Sequence, residues 1–169
     1  MDTIKTVLLT SQILIAVITD VNSYKVKNLM IFVFIIAGAF YNIFPFNHGN
    51  LFSSMLGLLV PAIILMPLYI LKMLGAGDIK LFCSIGFLLG FKDILYDITY
   101  SYLFGLVLAL LIMLIRGNLT ARFNRLFIYI KSCILTMNIL PYDDLNTQSD
   151  GRMHFTIPIA LGTIAVILF

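Results

Sequence analysis

The sequence contains no glutamate, and its charged residues are few. All eight acidic residues of this 169-residue chain are aspartates, and charged residues make up 11% of the total. The absence of glutamate excludes an HExxH zinc protease, whose helix needs a glutamate as general base. The charged fraction is far below the roughly 25% of ordinary soluble domains. With 61% hydrophobic residues, the composition excludes a disordered chain and argues against a soluble globular domain.

Other scarce residue types exclude further classes of protein. The two cysteines, Cys83 and Cys133, are too few for a zinc knuckle or a disulfide framework. No G-x-S-x-G sequence occurs and only two histidines are present, which disfavours a serine protease. The aspartates within 142–152 lack the tight spacing of a metal site, and a net charge of +3 is too small to indicate nucleic-acid binding. We therefore predict no metal, no other cofactor and no nucleic-acid partner.

Long hydrophobic runs occupy most of the chain. Residues 28–71 hold no Asp, Lys or Arg, and a polar turn at 45–50 divides them into two spans. A helix needs about 20 mostly apolar residues to cross a bilayer. We predict an all-α, polytopic membrane protein with one membrane-embedded domain over residues 1–169. Its six predicted transmembrane helices are 3–20, 28–44, 51–71, 78–96, 98–115 and 153–169, with a cytoplasmic or interfacial loop at 116–152.

One apolar segment, 126–140, is ambiguous. It is short for a membrane crossing, carries Lys131 and ends before Pro141. An interfacial helix is the first interpretation, and a seventh crossing is the alternative.

The placement of lysine and arginine predicts the orientation in the membrane. Nine of the eleven lie in the loops after predicted helices 1, 3 and 5, whereas Lys5 and Lys92 lie on the opposite side. Both termini are then expected outside the cell. The loops beside Asp20 and Asp78 face the cytoplasm, and we predict a multi-pass protein of the inner, or cytoplasmic, membrane.

Two aspartates stand at the same predicted membrane face. Asp20 closes predicted helix 1 and Asp78 opens predicted helix 4. An ionisable residue beside a transmembrane helix is costly, so both are functional candidates. Two neighbouring carboxylates share a proton, so that one activates a water while the protonated one polarises a carbonyl. Such a pair hydrolyses peptides without a metal or a covalent intermediate.

Simpler interpretations exist for the same residues. Asp78 is a plausible helix N-cap, and Asp20 fits a turn over residues 20–23. Gly75 and Gly77 either mark a loop entering a helix or allow close backbone approach. Lys80 either contacts the substrate or Asp20, or lies along the membrane interface as a snorkelling lysine. The other six aspartates have ordinary loop or terminal explanations, and no helix interior is expected to carry a buried charge.

The motifs around both aspartates resemble those of a known family. Residues 75–81 (GAGDIKL) resemble the GxGD-x-K-L motif of the type IV prepilin peptidases. Asp20 followed by 25–28 (KVKN) resembles the family's other motif, an Asp ending helix 1 and then I-P-N opening helix 2. The resemblance covers nearly the whole chain in helix number, spacing and topology.

The C-terminal segment 153–162 also resembles this family. Its last helix commonly begins P-F/Y-x-P, whereas this chain has His154 and Ile157 at the proline positions and Pro158 one place later.

The resemblance implies a membrane aspartic endopeptidase with Asp20 and Asp78 as the catalytic pair. The residues implied to bind substrate or shape the site are Gly75, Gly77, Lys80 and Asn28. The implied substrate is a pilin precursor, cleaved where its basic cytoplasmic leader meets its hydrophobic helix in the lipid bilayer. Longer members carry a methylating domain with two cysteine pairs, for which the short loop after predicted helix 1 leaves no room. The chain therefore resembles most closely the short forms that process Flp (tight-adherence) pilins, with archaeal preflagellin peptidases as an alternative.

Two other functions remain open from the sequence. One is a non-catalytic membrane protein that assembles a pilus or secretion machine. The other is a small transporter in which the aspartates bind a cation or relay a proton, and Gln12 in the rather polar first helix supports it.

Overall fold

The computed structural model describes most of the chain. The described residues are 3–23, 28–43, 51–71, 73–115, 117 and 154–168, with 124, 128, 131 and 135 singly. They form six α-helices and, within these ranges, no strand, so the predicted all-α fold is confirmed. The helices are α1 (Thr3–Ser23), α2 (Asn28–Ile43), α3 (Leu51–Ile70), α4 (Ala76–Leu89), α5 (Phe91–Ile115) and α6 (Thr156–Leu168). Of the predicted interfacial helix at 126–140, the structure describes residues 128, 131 and 135, which are helical, and the rest lies outside the described residues.

Three of these helices are long and apolar enough to cross a membrane. They are α1, α3 and α5, with 21, 20 and 25 residues, and α2 and α6 are shorter apolar helices. Large apolar side chains such as Ile63 on α3 and Leu106 on α5 stay exposed, as expected where a helix faces lipid. The helices therefore support a membrane protein.

The short helix α4 lies at the centre of the bundle. It packs against α1, α2, α3 and α5, and from Leu81 to Leu89 its side chains are buried apart from the half-buried Cys83. A helix that is apolar around its whole circumference belongs in an interior. The central position of α4 brings its first turn, which contains Asp78, among the ends of its neighbours.

The α3–α4 crossing is a direct contact between backbones. A Cβ added to Gly57 would meet the carbonyl oxygen of Gly86, and a Cβ added to Gly86 would meet that of Gly57. Small residues at a crossing allow helices in a membrane to approach this closely. Gly86 is therefore a helix-packing residue.

The break between α4 and α5 lies at Gly90, so the predicted break at residue 97 is wrong. Gly90 has φ +93°, a backbone conformation that glycine adopts without strain, and its N–H donates to the Gly86 carbonyl at 2.8 Å. The charged residues Lys92 and Asp93, expected inside predicted helix 4, instead belong to the first turn of α5. An acid there is favoured by the helix dipole.

This shift places Asp97 inside α5, where it is fully buried. Its Oδ1 accepts hydrogen bonds from the hydroxyls of Thr163 at 3.0 Å and Ser101 at 3.4 Å. Gly162 allows α6 to approach α5 closely, because a Cβ at this position would collide with the Ser101 hydroxyl. The expectation that no helix interior carries a buried acid is therefore wrong.

A second buried polar contact joins α1 to α4. Gln12 Nε2 donates to Ser84 Oγ at 2.8 Å, and both residues are fully buried. Gln12 precedes Asp20 by eight residues, whereas Ser84 follows Asp78 by six. Because Asp20 and Asp78 also interact with each other, the two helices run in opposite directions, with both aspartates toward the same end of the bundle.

Candidate active site

Asp20 lies in the last turn of α1, which continues to Ser23. Residues 20–23 are helical, so the turn interpretation of Asp20 is wrong. The side chain is largely buried, and its Oδ2 accepts a hydrogen bond from the Thr156 hydroxyl at 2.5 Å. His154 Nδ1 lies 3.2 Å from the same oxygen. A carboxyl group at this position is therefore held by the start of α6.

The contact from Thr156 was not predicted from the sequence. Thr156 is an uncharged residue that is separated from Asp20 by 136 positions, and no charge pattern or motif singled it out. His154, two residues before Thr156, stands at one of the family's proline positions, and the structure brings it to Asp20. The tautomer of His154 decides whether Nδ1 donates a hydrogen bond.

Asp78 is the third residue of α4, and Gly75 takes the N-cap position without any side-chain cap. The N-cap interpretation of Asp78 is therefore wrong. The Asp78 carboxyl instead reaches back and accepts the backbone N–H of Gly75, as the acid of a capping box does.

Gly75 is needed for space rather than for backbone conformation. Its φ of −77° is open to any residue. A Cβ at this position would lie 3.1 Å from Asp78 Oδ2 and would crowd the carboxyl. The second glycine of the motif, Gly77, lies half-buried in the first turn of α4.

The two aspartates interact electrostatically. Burial and, secondly, the charge of Asp20 raise the pKa of the Asp78 carboxyl, the Gly75 N–H lowers it, and together they bring it to about 6. Asp78 belongs to the short α4 and lies outside the helices that can span a membrane. The Asp78 carboxyl therefore keeps its proton to a higher pH than an ordinary aspartate does.

Lys80 and Asn28 lie together at the exposed edge of this end of the bundle. Lys80 Nζ donates to Asn28 Oδ1 at 3.1 Å and joins α4 to the first residue of α2. Within the described part of the chain the Lys80 ammonium contacts Asn28 rather than Asp20. Two of the predicted site-shaping residues are thus partners of each other.

No three His, Cys or Asp side chains converge as metal ligands among the described residues. The absence of a metal and of other cofactors stays a prediction.

Comparison with known proteins decides the family. The sequence profile of the type IV leader peptidase family matches residues 7–110. The chain belongs to this family. The matched region contains Asp20 and the whole 75–81 motif, and it ends before α6, so His154 and Thr156 lie beyond it. No curated protein and no solved structure matches the chain.

Membership in the type IV leader peptidase family confirms the family predicted from the two motifs. It makes the chain a peptidase. Together with the three apolar helices of membrane-spanning length, it makes the chain a membrane peptidase.

Proposed function

We propose that this leader peptidase family member is an aspartic endopeptidase that removes the basic leader from pilin precursors. The observation that carries the proposal is the electrostatic pairing of Asp20 with Asp78 at one end of the bundle. Two interacting carboxyls on different helices are the arrangement that water activation by a carboxylate pair requires.

The proposed reaction assigns different roles to the two acids. Asp20, held by Thr156, takes a proton from a water whose oxygen bonds to the scissile carbonyl carbon. Asp78 carries the shared proton and gives it to the carbonyl oxygen, forming a gem-diol. When the C–N bond breaks, the amide nitrogen takes the proton from Asp20, and one gem-diol hydroxyl returns its proton to Asp78. Both acids then hold their starting protonation.

The substrate class follows from the position of the pair relative to the membrane. The distribution of lysine and arginine puts this end of the bundle at the cytoplasmic face of the inner membrane. A pilin precursor with a hydrophobic helix in the bilayer would present its leader junction at that depth. Lys80 and Asn28 lie exposed at the same end of the bundle. The proposed substrates are Flp-like pilins, because the connection between α1 and α2 is too short to hold the methylating domain of the longer members.

Cleavage of a co-expressed pilin precursor tests this function. The precursor carries a basic leader before a hydrophobic helix, and immunoblotting separates its cut and uncut forms. We expect Asp20→Asn and Asp78→Asn each to lower cleavage by about 1000-fold or more, because each removes one of the two proton-transfer groups. Both variants should still be found in the membrane fraction.

Asp93→Asn is the matched control. Asp93 lies in the first turn of α5, at the opposite end of the bundle, so this variant should cleave normally. Normal cleavage by either the Asp20 or the Asp78 variant would contradict the proposed function.

The buried Asp97 favours one alternative, a small cation or proton transporter, because a carboxyl inside a membrane helix often marks an ion pathway. Cation flux in liposomes that disappears in Asp97→Asn would support this alternative. A non-catalytic assembly role would be supported by normal pilus assembly in an Asp20/Asp78 double variant.

A further inference from the structure

The hydroxyl of Tyr102 is buried and has no hydrogen-bond partner among the described residues. A buried tyrosine hydroxyl normally finds one, and a buried polar group left without one calls for an explanation. Phenylalanine would fill the same space without that cost. Packing in the resting protein therefore does not explain why this position carries a hydroxyl group.

Tyr102 lies at the same level of the bundle as Asp78. The antiparallel helices α4 and α5 pack together and are joined at Gly90. Asp78 precedes Gly90 by twelve residues, and Tyr102 follows it by twelve. At the helical rise per residue, each lies about 18 Å from the turn. The two side chains also interact electrostatically.

The Tyr102 ring is held from the side of Asp20. It packs against Phe155 with ring centroids 5.5 Å apart and an interplanar angle of 52°. The chain neighbours of Phe155 are His154 and Thr156, which both contact Asp20 Oδ2. The Tyr102 ring therefore packs beside the residues that contact Asp20, and the same side chain interacts electrostatically with Asp78.

We propose that Tyr102 is a third catalytic residue, whose hydroxyl donates a hydrogen bond to the scissile carbonyl oxygen as that oxygen becomes negative. This inference rests on the proposed function. The phenol keeps its proton throughout, so the proton transfers between the two aspartates are unchanged. A donor already in place needs no reorganisation when the charge develops, which is how such groups lower the barrier.

Tyr102→Phe tests the inference, because it removes the hydroxyl and keeps the ring against Phe155. The probe is the same leader-bearing pilin precursor, reconstituted with the purified enzyme in lipid nanodiscs. We expect kcat to fall about 100-fold, as on loss of one oxyanion donor, with KM within a few-fold. The thermal stability should be unchanged or higher, because the lost hydroxyl has no partner.

Tyr96→Phe is the matched control. Tyr96 lies on the same helix with an exposed side chain, and this variant should cleave at the wild-type rate. A wild-type rate in Tyr102→Phe would overturn the inference. A loss of folded protein that accounts for the lost cleavage would also overturn it and assign Tyr102 to packing.

Asp78→Asn, measured in the same assay, separates this inference from the proposed function. If Asp78→Asn is inactive and Tyr102→Phe is fully active, only the role of Tyr102 fails. If Asp78→Asn cleaves normally, or the wild-type enzyme leaves the precursor intact, the proposed function fails and the role of Tyr102 fails with it.

Discussion

Asp20 and Asp97 each accept a hydrogen bond from a threonine of α6, yet their surroundings differ. Thr156 bonds Asp20 and Thr163 bonds Asp97, and these threonines lie seven residues, or about two helical turns, apart. Asp20 also has His154 and a second acid, Asp78, within reach at the end of the bundle. The described residues place only hydroxyl groups around Asp97.

The difference concerns partners rather than burial. Asp97 is the more deeply buried of the two, at 0% exposure against 8% for Asp20, and its second oxygen has no hydrogen-bond partner in the described part of the chain. Hydrolysis needs two acids that exchange protons with a substrate and with water, and only Asp20 has both a second acid and a position at a helix end. Burial alone therefore does not identify the catalytic acid.

The largest expected effect separates these two acids directly. Asp20→Asn should lower precursor cleavage by about 1000-fold or more, because the amide does not take a proton from water. Asp97→Asn should stay within a few-fold of the wild-type rate, because the amide oxygen still accepts from Thr163 and Ser101. Equal losses of cleavage in the two variants would show that the buried acid also takes part in the reaction.

The pH dependence should follow the Asp20–Asp78 pair. The pKa of Asp78 is raised from its ordinary 3.8 to about 6, so its proton is lost as the pH rises through about 6. Cleavage should then fall by about tenfold per pH unit above that point, because the acid that protonates the carbonyl is gone. This fall in cleavage is a property of the coupled Asp20–Asp78 pair rather than of one carboxyl. A profile of kcat/KM against pH measures it.

The same shift has a consequence for stability. The pKa of Asp78 is higher in the folded state than in the unfolded state, so its protonation stabilises the folded protein. This stabilisation is fully present below about pH 3.8 and is lost as the pH rises through about 6. The melting temperature should therefore fall over this range, and Asp78→Asn should reduce the fall. Asp93→Asn should leave the pH dependence as it is, and an identical slope in the Asp78 variant would contradict the pKa shift.

The two threonines of α6 should give smaller and opposite effects. Thr156→Val removes a bond that orients Asp20, so kcat should fall about tenfold with little change in thermal stability. Thr163→Val leaves Asp97 Oδ1 with only the longer Ser101 contact, which should cost about 1–3 kcal/mol of stability with near-normal kcat. Steady-state cleavage assays and thermal unfolding of both variants measure these effects. If the two variants change kcat and stability in the same way, the surroundings of Asp20 and Asp97 do not differ in function.

The helical fold and the common position of Asp20 and Asp78 at one end of the bundle were predictable because their signals are local. Charges interrupt the apolar runs and so mark helix ends, and the 75–81 motif stands at one of them. The electrostatic coupling of Asp20 with Asp78 agrees with the expectation that antiparallel helices bring them to one depth.

The position of Gly90 and the role of α6 were not predictable in the same way. A run without charges ends only where a charge stands, so this criterion missed a helix break set by the backbone angle of one glycine and assigned the break to the charged residues downstream. This error made Asp97 look like a loop residue. The contacts of Thr156 and Tyr102 arise only when distant helices pack, and neither residue carries a charge that would draw attention to it.

The crossing of Gly57 and Gly86 has a consequence for how deep the reaction takes place. The α4 helix is buried along most of its length, so it has little contact with surrounding lipid. The α3 helix, in contrast, exposes large apolar side chains. With the two backbones in contact, α4 cannot slide along its axis without moving α3 or separating from it. The thickness of the bilayer therefore acts on α3, and through that helix it sets the height of Asp78 relative to the membrane surface.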